Sequence, residues 1–125
     1  YGYKGAMFPW ESADSGVEET PVWALSGPFE HHITADVALA AWNYYAVSQD
    51  KEWLREKGWP LLSATADFWA SRVERNGPEK YDIKNVVAAD EWAENVDNNA
   101  FTNAAAIANL QNATKAAQIL GNWEG

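Results

Sequence analysis

The 125-residue chain contains no cysteine, and it is poor in several other features. Without cysteine there is no disulfide, no thiolate nucleophile and no cysteine metal site. No uninterrupted apolar run approaches the roughly 20 residues that a membrane-spanning helix needs. Lysine and arginine number nine against eighteen acidic residues, so the formal charge is −9. That balance argues against binding to nucleic acid or to an anionic membrane surface, because both require a basic surface.

The chain also lacks an initiator methionine, and its first residues do not resemble a signal peptide. We therefore expect it to begin inside a gene, either after processing or because only a segment was taken. The compartment stays open between the cytoplasm and the periplasm. Hydrophobic residues make up 47% of the chain, which excludes a disordered acidic tail.

Tryptophan is unusually abundant for a chain of this length. An indole joins a large apolar face to one N–H donor, so it suits a protein core and also the apolar face of a sugar ring. Core packing is the ordinary explanation for most of these residues, although tryptophan with Asp, Glu and Asn is also what a carbohydrate site uses. The eight are Trp10, Trp23, Trp42, Trp53, Trp59, Trp69, Trp92 and Trp123.

Turn signals make residues 7–29 an irregular loop, and helices are predicted after it. One helix is expected from about His32 to Val47, and a short helix capped by Asp50 is expected to end at Gly58. The apolar stripe of the first helix is predicted at Ile33, Val37, Ala40, Ala41, Tyr44 and Tyr45.

A third helix is predicted with Pro60 in its first turn and an end at residues 76–78. Residues 81–87 alternate like a short strand or hairpin arm. A long alanine-rich helix, capped by residues 97–99, is then expected to end at Gly121. Its predicted apolar seam consists of Ile107, Leu110, Thr114, Ala117 and Leu120.

These elements predict an all-α fold of helical hairpins joined by long loops, with at most a short β-hairpin. The helices are apolar over a wide arc, which is typical of helices packed on two sides. About four helices cannot close a barrel, so we expect residues 1–125 to be a fragment of one larger catalytic domain, incomplete at both ends. Helix faces that other helices would cover are expected to remain exposed, so the isolated chain should self-associate or be only marginally stable.

Three segments carry candidate site residues. Residues 88–95 read Ala-Ala-Asp-Glu-Trp-Ala-Glu-Asn and place two carboxyls after small apolar residues. Desolvation there would disfavour ionisation and suit one carboxyl to act as a general acid, whereas an exposed acidic loop is the structural alternative. Residues 30–36 read Glu-His-His-Ile-Thr-Ala-Asp, with His32 and Asp36 on one helical face. A hydrogen-bonding role is favoured there over a metal, and residues 8–12 add an aromatic platform beside a carboxylate.

The same segments resemble the motifs of glycoside hydrolase family 65. Residues 2–12, Gly-Tyr-Lys-Gly-Ala-Met-Phe-Pro-Trp-Glu-Ser, match one signature, and residues 30–36 and 66–72 match two more. Asp-Glu-Trp at 90–92, followed by Asn-Asn-Ala-Phe-Thr-Asn at 98–103, completes an ordered set of four that spans nearly all of the chain. The family contains maltose, trehalose and kojibiose phosphorylases, acid trehalases and related α-glucosidases. The resemblance implies the middle of its (α/α)6-barrel catalytic domain.

The resemblance also implies roles for five residues. The family's general acid falls on Glu91, and Trp10 falls on an aromatic residue that lines the subsite of the transferred glucosyl unit. Glu11, Glu30 and His32 lie in motifs near the pocket and are expected to contact substrate. Neither a metal nor an organic cofactor is implied.

The family inverts the anomeric carbon, and two nucleophiles are possible. Water activated by a second carboxylate makes a hydrolase, whereas inorganic phosphate as co-substrate makes a phosphorylase. We expect hydrolysis of an α-linked glucose disaccharide such as trehalose or kojibiose, with phosphorolysis as the alternative and a base or phosphate site outside this chain. The isolated chain should therefore be inactive. The usual Gly-Pro and Tyr-His around the acid are replaced by Ala88-Ala89 and Trp92-Ala93, which leaves a non-catalytic sugar-binding relative as a further alternative.

Overall fold

A computed structural model describes residues 1–121, and it is mostly helical, as the sequence predicts. The helices are α1 (Ser26–Phe29), α2 (His32–Ser48), α3 (Lys51–Trp53), α4 (Trp59–Arg72) and α5 (Ala100–Leu120), with a π-helical segment, Leu54–Gly58, between α3 and α4. The strands β1 (Glu74–Arg75) and β2 (Tyr81–Asp82) form an antiparallel hairpin. This composition agrees with part of an (α/α)6 barrel. No helix within residues 1–121 is both long and apolar enough to cross a membrane, and Trp123 lies outside the described residues.

The core lies between α2, α4 and α5. Buried apolar side chains form two clusters, in which alanines of α2 and α5 accompany large side chains of α4 and of the segments next to it. Because alanine has a small side chain, the helix backbones can approach closely. The first cluster is Ala35, Phe68, Trp69, Ile83, Val86 and Ala106, and the second is Ala38, Tyr45, Leu54, Leu62, Ala113 and Ala116.

The predicted apolar seam of α5 is confirmed in part. Ile107 is 53% exposed, whereas Ala106 and Asn109 are buried. Trp69 Nε1 donates to Asn109 Oδ1 (3.1 Å), and Asn109 Nδ2 donates to Thr65 Oγ1 (3.0 Å). These bonds favour the observed orientation of α5, because a buried polar group without a partner costs about 1–3 kcal/mol. Of the predicted seam, Ala117 is buried, and Leu110 and Leu120 are partly buried against the two clusters.

The predicted stripe of α2 is displaced in a similar way. Tyr45 is buried, as predicted, but Ala40 and Tyr44 are exposed. Ala35 and Ala38 are buried in their place, since the close approach of α5 favours small side chains at the contact. The bounds of α2 differ from the predicted ones by a single residue at the C-terminal end.

Gly58 does not end a helix, contrary to the prediction. Asp50 caps α3 by accepting the Trp53 N–H at 2.9 Å, as predicted, but the helix then continues through the π-helical segment into α4. Gly58 has a helical φ of −68°. A Cβ there would lie 2.9 Å from Trp53 Cζ3 and 3.0 Å from Leu54 Cδ1. A glycine is therefore favoured here because a side chain would clash with Trp53. Its backbone is helical, so the helix does not end at this residue. Pro60 lies in the first turn of α4, as predicted.

The end of α4 also differs from the predicted one. The helix ends at Arg72, before the predicted Asn-Gly-Pro signal, and the next residues form β1. Glu74 pairs with Asp82 and Arg75 with Tyr81, so residues 76–80 form the hairpin loop. The predicted strand over 81–87 is confirmed at β2, while Val86 makes an isolated bridge to Val96. Asn99 caps α5 by accepting the Thr102 N–H, and Gly121 ends it in a left-handed conformation, as predicted.

The first ten residues form an extended segment that lies along α4 and reaches α2. The N–H of Lys4 donates to Ser71 Oγ at 2.9 Å, and the N–H of Ala6 donates to the Ala64 carbonyl at 2.9 Å. Farther along, the N–H of Phe8 donates to Thr34 Oγ1 at 2.9 Å. These bonds bring the chain to the first turn of α2, so that Trp10 lies next to this turn.

His31 joins this segment to the rest of the core. Its Nε2 donates to the Pro28 carbonyl at 2.7 Å, and its Nδ1 accepts from Arg72 Nε at 3.1 Å. Arg72 also donates to the Lys84 carbonyl, and the rings of Tyr3 and Phe68 meet His31 edge-on. Burial lowers the pKa of His31 to about 4, and the neighbouring guanidinium acts in the same direction. His31 is therefore a neutral structural residue.

Gly5 should tolerate no side chain. Its φ is +69°, and a Cβ would lie 2.1 Å from the Ala64 carbonyl oxygen. In the complete protein, Gly5→Ala should lower the free energy of unfolding by about 1–3 kcal/mol more than Gly2→Ala, because overpacking is added to backbone strain. Gly2 is a matched control, with a φ of +85° and no atom within 4 Å of its Cβ position. Equal losses in denaturant unfolding would show that backbone conformation alone sets the requirement.

Stability should fall as the pH decreases from 6.5 to 4, because of His31. Its pKa is lowered from 6.5 to about 4 in the folded chain, so only the unfolded chain takes up a proton in that interval. The contribution should reach up to about 3 kcal/mol. His31→Gln in the complete protein should remove this part of the pH dependence when the free energy of unfolding is measured between pH 4 and 7. Parallel curves for the two proteins would contradict the assignment.

Candidate active site

Three chain segments meet at the N-terminal end of α2. Glu30 follows α1 and His32 begins α2. The N–H of Val87 donates to the Phe29 carbonyl at 3.1 Å, which fixes the loop of residues 87–99 beside Glu30. The extended N-terminal segment brings in Trp10, whose ring meets the His32 ring edge-on with centroids 5.4 Å apart. The structure thus brings Trp10, Glu30, His32 and Glu91 to one place.

Glu30 is the most deeply buried carboxyl of this group, with 2% of its surface exposed. Its Oε1 lies 3.1 Å from His32 Nε2, and its Oε2 is buried without a hydrogen-bond partner. The carboxyl of Glu91 is a neighbouring acidic group. Burial raises the pKa of Glu30 to about 7, the negative charge of Glu91 acts in the same direction, and His32 opposes both. Glu30 therefore exchanges a proton near neutral pH.

His32 lies between two carboxyls. Its Nδ1 is 2.8 Å from Asp36 Oδ2 and its Nε2 is 3.1 Å from Glu30 Oε1. A neutral imidazole has one N–H, so both hydrogen bonds form only when His32 or one of the two carboxyls carries an additional proton. The ring of Phe101 also packs edge-on against the His32 ring, with centroids 4.9 Å apart. The prediction that His32 and Asp36 share a helical face is confirmed.

The loop that holds Glu91 is a tight turn. The N–H of Ala93 donates to the Asp90 carbonyl at 2.8 Å, and the N–H of Trp92 donates to Asp90 Oδ1 at 3.2 Å. Asp90 thus shapes the turn, while the neighbouring Glu91 side chain is exposed. Ala88 is buried, but the desolvation expected for a carboxyl of this loop falls on Glu30. A cavity of about 360 Å³ lies beside Glu91, and its lining includes Trp92, which is 96% exposed.

The carboxylate of Glu18 fixes the backbone of Trp10 and Glu11. Glu18 accepts the Trp10 N–H at 2.8 Å and the Glu11 N–H at 3.2 Å, and it also bonds Thr20. Desolvation alone would raise the pKa of Glu18, but the hydrogen bonds from Thr20, Trp10 and Glu11 together lower it. Glu18 is therefore held as a carboxylate. Trp10 is half-buried and Glu11 is exposed.

Three residues that contact the predicted site residues were not among them. Asp36 was expected to share a helical face with His32 but was given no role towards substrate, and Glu18 carried no signal of its own. Phe101 lies in the 98–103 motif, but its contact with His32 depends on how α5 packs against α2. Within residues 1–121, no group of three or more histidine, aspartate or glutamate side chains is placed to hold a metal ion.

Comparison with known proteins identifies sequences that are similar to this chain. The model of the glycosyl hydrolase family 65 central catalytic domain matches residues 1–124. A kojibiose hydrolase of Mucilaginibacter mallensis is 77% identical over 96% of the chain, and one of Flavobacterium johnsoniae is 74% identical over 97%. A kojibiose phosphorylase of Halothermothrix orenii is 50% identical over 82%.

The chain covers only a small part of these relatives. It spans 18% of the length of each kojibiose hydrolase and 15% of the phosphorylase. The match to the family model nevertheless includes every described residue, and the identity to the hydrolases is high across almost all of the chain. The chain belongs to glycosyl hydrolase family 65, within its central catalytic domain.

Proposed function

We propose that the complete protein hydrolyses an α-linked glucose disaccharide with inversion, and that kojibiose is its substrate. The position of Glu91 carries this proposal: an exposed carboxyl lines a cavity next to the exposed ring of Trp92, and a buried acidic group lies nearby. The two relatives called kojibiose hydrolase are 77% and 74% identical to the chain, against 50% for the phosphorylase. That difference favours water over phosphate as the nucleophile.

Glu91 acts as the general acid in this reaction. It protonates the oxygen that joins the two glucose units while water attacks the anomeric carbon from the opposite face. The C1–O bond breaks, the leaving glucose takes the proton, and the water gives its own proton to a carboxylate base. In inverting enzymes the two carboxyl groups are about 6.5–9.5 Å apart, and we assign the base to a part of the protein outside this chain.

The sugar bound before cleavage meets Trp10. The indole offers an apolar face to the pyranose ring, and Glu18 holds the backbone of Trp10 and Glu11 by hydrogen bonds. Glu11, with its exposed carboxylate, is a suitable acceptor for sugar hydroxyls. Glu30 and His32 complete the predicted set of substrate contacts, although both side chains are buried.

The products of the complete protein test the reaction. Kojibiose and trehalose, each incubated with and without inorganic phosphate, should give free glucose from kojibiose without phosphate, and the glucose should first appear as the β-anomer in NMR spectra. Phosphate-dependent β-glucose 1-phosphate would instead identify a phosphorylase. Binding without cleavage under either condition would identify a non-catalytic sugar-binding protein.

Glu91→Gln tests the acid. The amide cannot donate a labile proton to the leaving oxygen, so kcat for kojibiose should fall by about 10²–10⁴-fold, the usual contribution of a positioned general acid. Asp90→Asn is the matched control, because Asn also accepts the Trp92 N–H and preserves the turn. It should retain kcat within about threefold. Near wild-type turnover in Glu91→Gln would remove the assignment.

A further inference from the structure

Two exposed tryptophans belong to the cavity that Glu91 lines. Trp23 is 81% exposed and Trp92 is 96% exposed, and both contribute to the lining of this cavity of about 360 Å³. An indole in a protein core loses its exposed surface, as Trp69 does with 0% exposed. Apolar side chains that stay exposed together at one cavity mark a surface that binds a ligand or another part of the protein.

Both tryptophans lie on short turns whose backbone is fixed by hydrogen bonds. The N–H of Ala24 donates to the Pro21 carbonyl at 2.8 Å, which closes a turn around Trp23. Trp92 lies in the tight turn that also holds Glu91. The two rings are thus presented by an ordered backbone although they are exposed, and such preorganisation lowers the entropic cost of binding a ligand.

The other side chains of the cavity favour a neutral ligand that is rich in hydroxyl groups. Glu91 and Glu94 contribute exposed carboxyl groups, and Ser26 also lines the cavity. Among residues 1–121, no lysine, arginine or histidine lines it, so an anion such as phosphate finds no opposite charge there. A sugar ring offers apolar C–H faces to the indoles and hydroxyls that donate to carboxyl oxygens.

The size of the cavity suits one sugar ring. Its volume of about 360 Å³ lies near the lower end of the range for small-molecule sites, which extends from about 300 to 1,000 Å³. Trp10 does not line this cavity; its ring instead meets the His32 ring, with centroids 5.4 Å apart. The site therefore has two separate aromatic surfaces. A general acid between two sugar rings faces the oxygen that joins them, so one ring lies on each side of it.

We propose that Trp23 and Trp92 bind the glucose unit that leaves, whereas Trp10 binds the unit that is transferred to water. The inference rests on the proposed function, since it takes Glu91 to be the acid between the two units. Because Glu91 has to reach the glycosidic oxygen, the cavity that it lines stays open to substrate in the complete protein. The indoles contact the apolar faces of the leaving ring, and Glu94 accepts hydrogen bonds from its hydroxyls.

The experiment compares a substrate that has a leaving sugar with one that has none. The leaving group of α-glucosyl fluoride is a fluoride ion, so this substrate occupies only the site of the transferred glucosyl unit. In the complete protein, Trp23→Ala and Trp92→Ala should each lower kcat/KM for kojibiose by at least about tenfold, as expected when one large apolar contact is lost. For α-glucosyl fluoride, kcat/KM should stay within about twofold of wild type, because neither indole contacts the transferred unit.

Three further variants make the comparison specific. Trp10→Ala should lower kcat/KM for both substrates, because both place a glucosyl unit at Trp10. Val22 is fully exposed next to Trp23 but does not line the cavity, so Val22→Ala should change neither rate. Trp92→Phe keeps an aromatic face and should recover most of the kojibiose activity that Trp92→Ala loses.

The outcomes that overturn the inference differ from the one that overturns the proposed function. Both indoles are exposed, so the alanine variants should keep the wild-type melting temperature. Equal losses on both substrates would assign the tryptophans to the transferred unit or to the fold, and would overturn the inference. Unchanged kojibiose turnover in both alanine variants would show that another part of the protein covers the indoles, and would also overturn it. Wild-type protein that cleaves neither substrate, with or without phosphate, would overturn the proposed function and this inference with it.

Discussion

The buried Glu30 carboxyl is the constraint on which the arrangement around the start of α2 depends. A carboxyl removed from water has to be protonated, or it has to find donors. Glu30 finds one partner in His32, the carboxyl of Glu91 lies nearby, and its second oxygen has no hydrogen-bond partner within residues 1–121. Its position is set by the end of α1, by the first turn of α2 and by the backbone bond between Val87 and Phe29. Segments far apart in the sequence must therefore fold together before Glu30 has its partners.

Two adjacent histidines show how neighbours decide chemistry. His31 donates to a carbonyl and accepts from Arg72, an arrangement that a neutral ring satisfies completely. His32 faces a carboxyl at each nitrogen, an arrangement that needs one more proton in the cluster. Both rings are buried to nearly the same degree. The first therefore links α2 to α4, whereas the second holds two carboxyls together, and burial alone does not distinguish them.

Local signals in the sequence predicted the helices well and the core poorly. Asp50, Asn99 and Gly121 act through hydrogen bonds and backbone conformation within a few residues, so their roles were visible. Gly58 and Asn109 depend on distant partners: a tryptophan ring crowds the glycine, and the indole of Trp69 binds the asparagine. A polar residue that is buried by such a bond interrupts the apolar spacing from which a helix face is predicted.

The motifs in the sequence predicted which segments form the site, but they did not predict which carboxyl is buried and which is exposed. The segment around Glu91 predicted a carboxyl in apolar surroundings, and the desolvated carboxyl proved to be Glu30, 61 positions earlier. A solvent-exposed carboxyl ordinarily loses its proton well below neutral pH, whereas a buried one keeps its proton but does not reach a substrate. In a pair of this kind, the exposed carboxyl is able to contact the substrate, and the buried carboxyl keeps its proton near neutral pH. Such a pair forms only where two loops come together in the fold. The spacing of residues within one segment does not predict that contact.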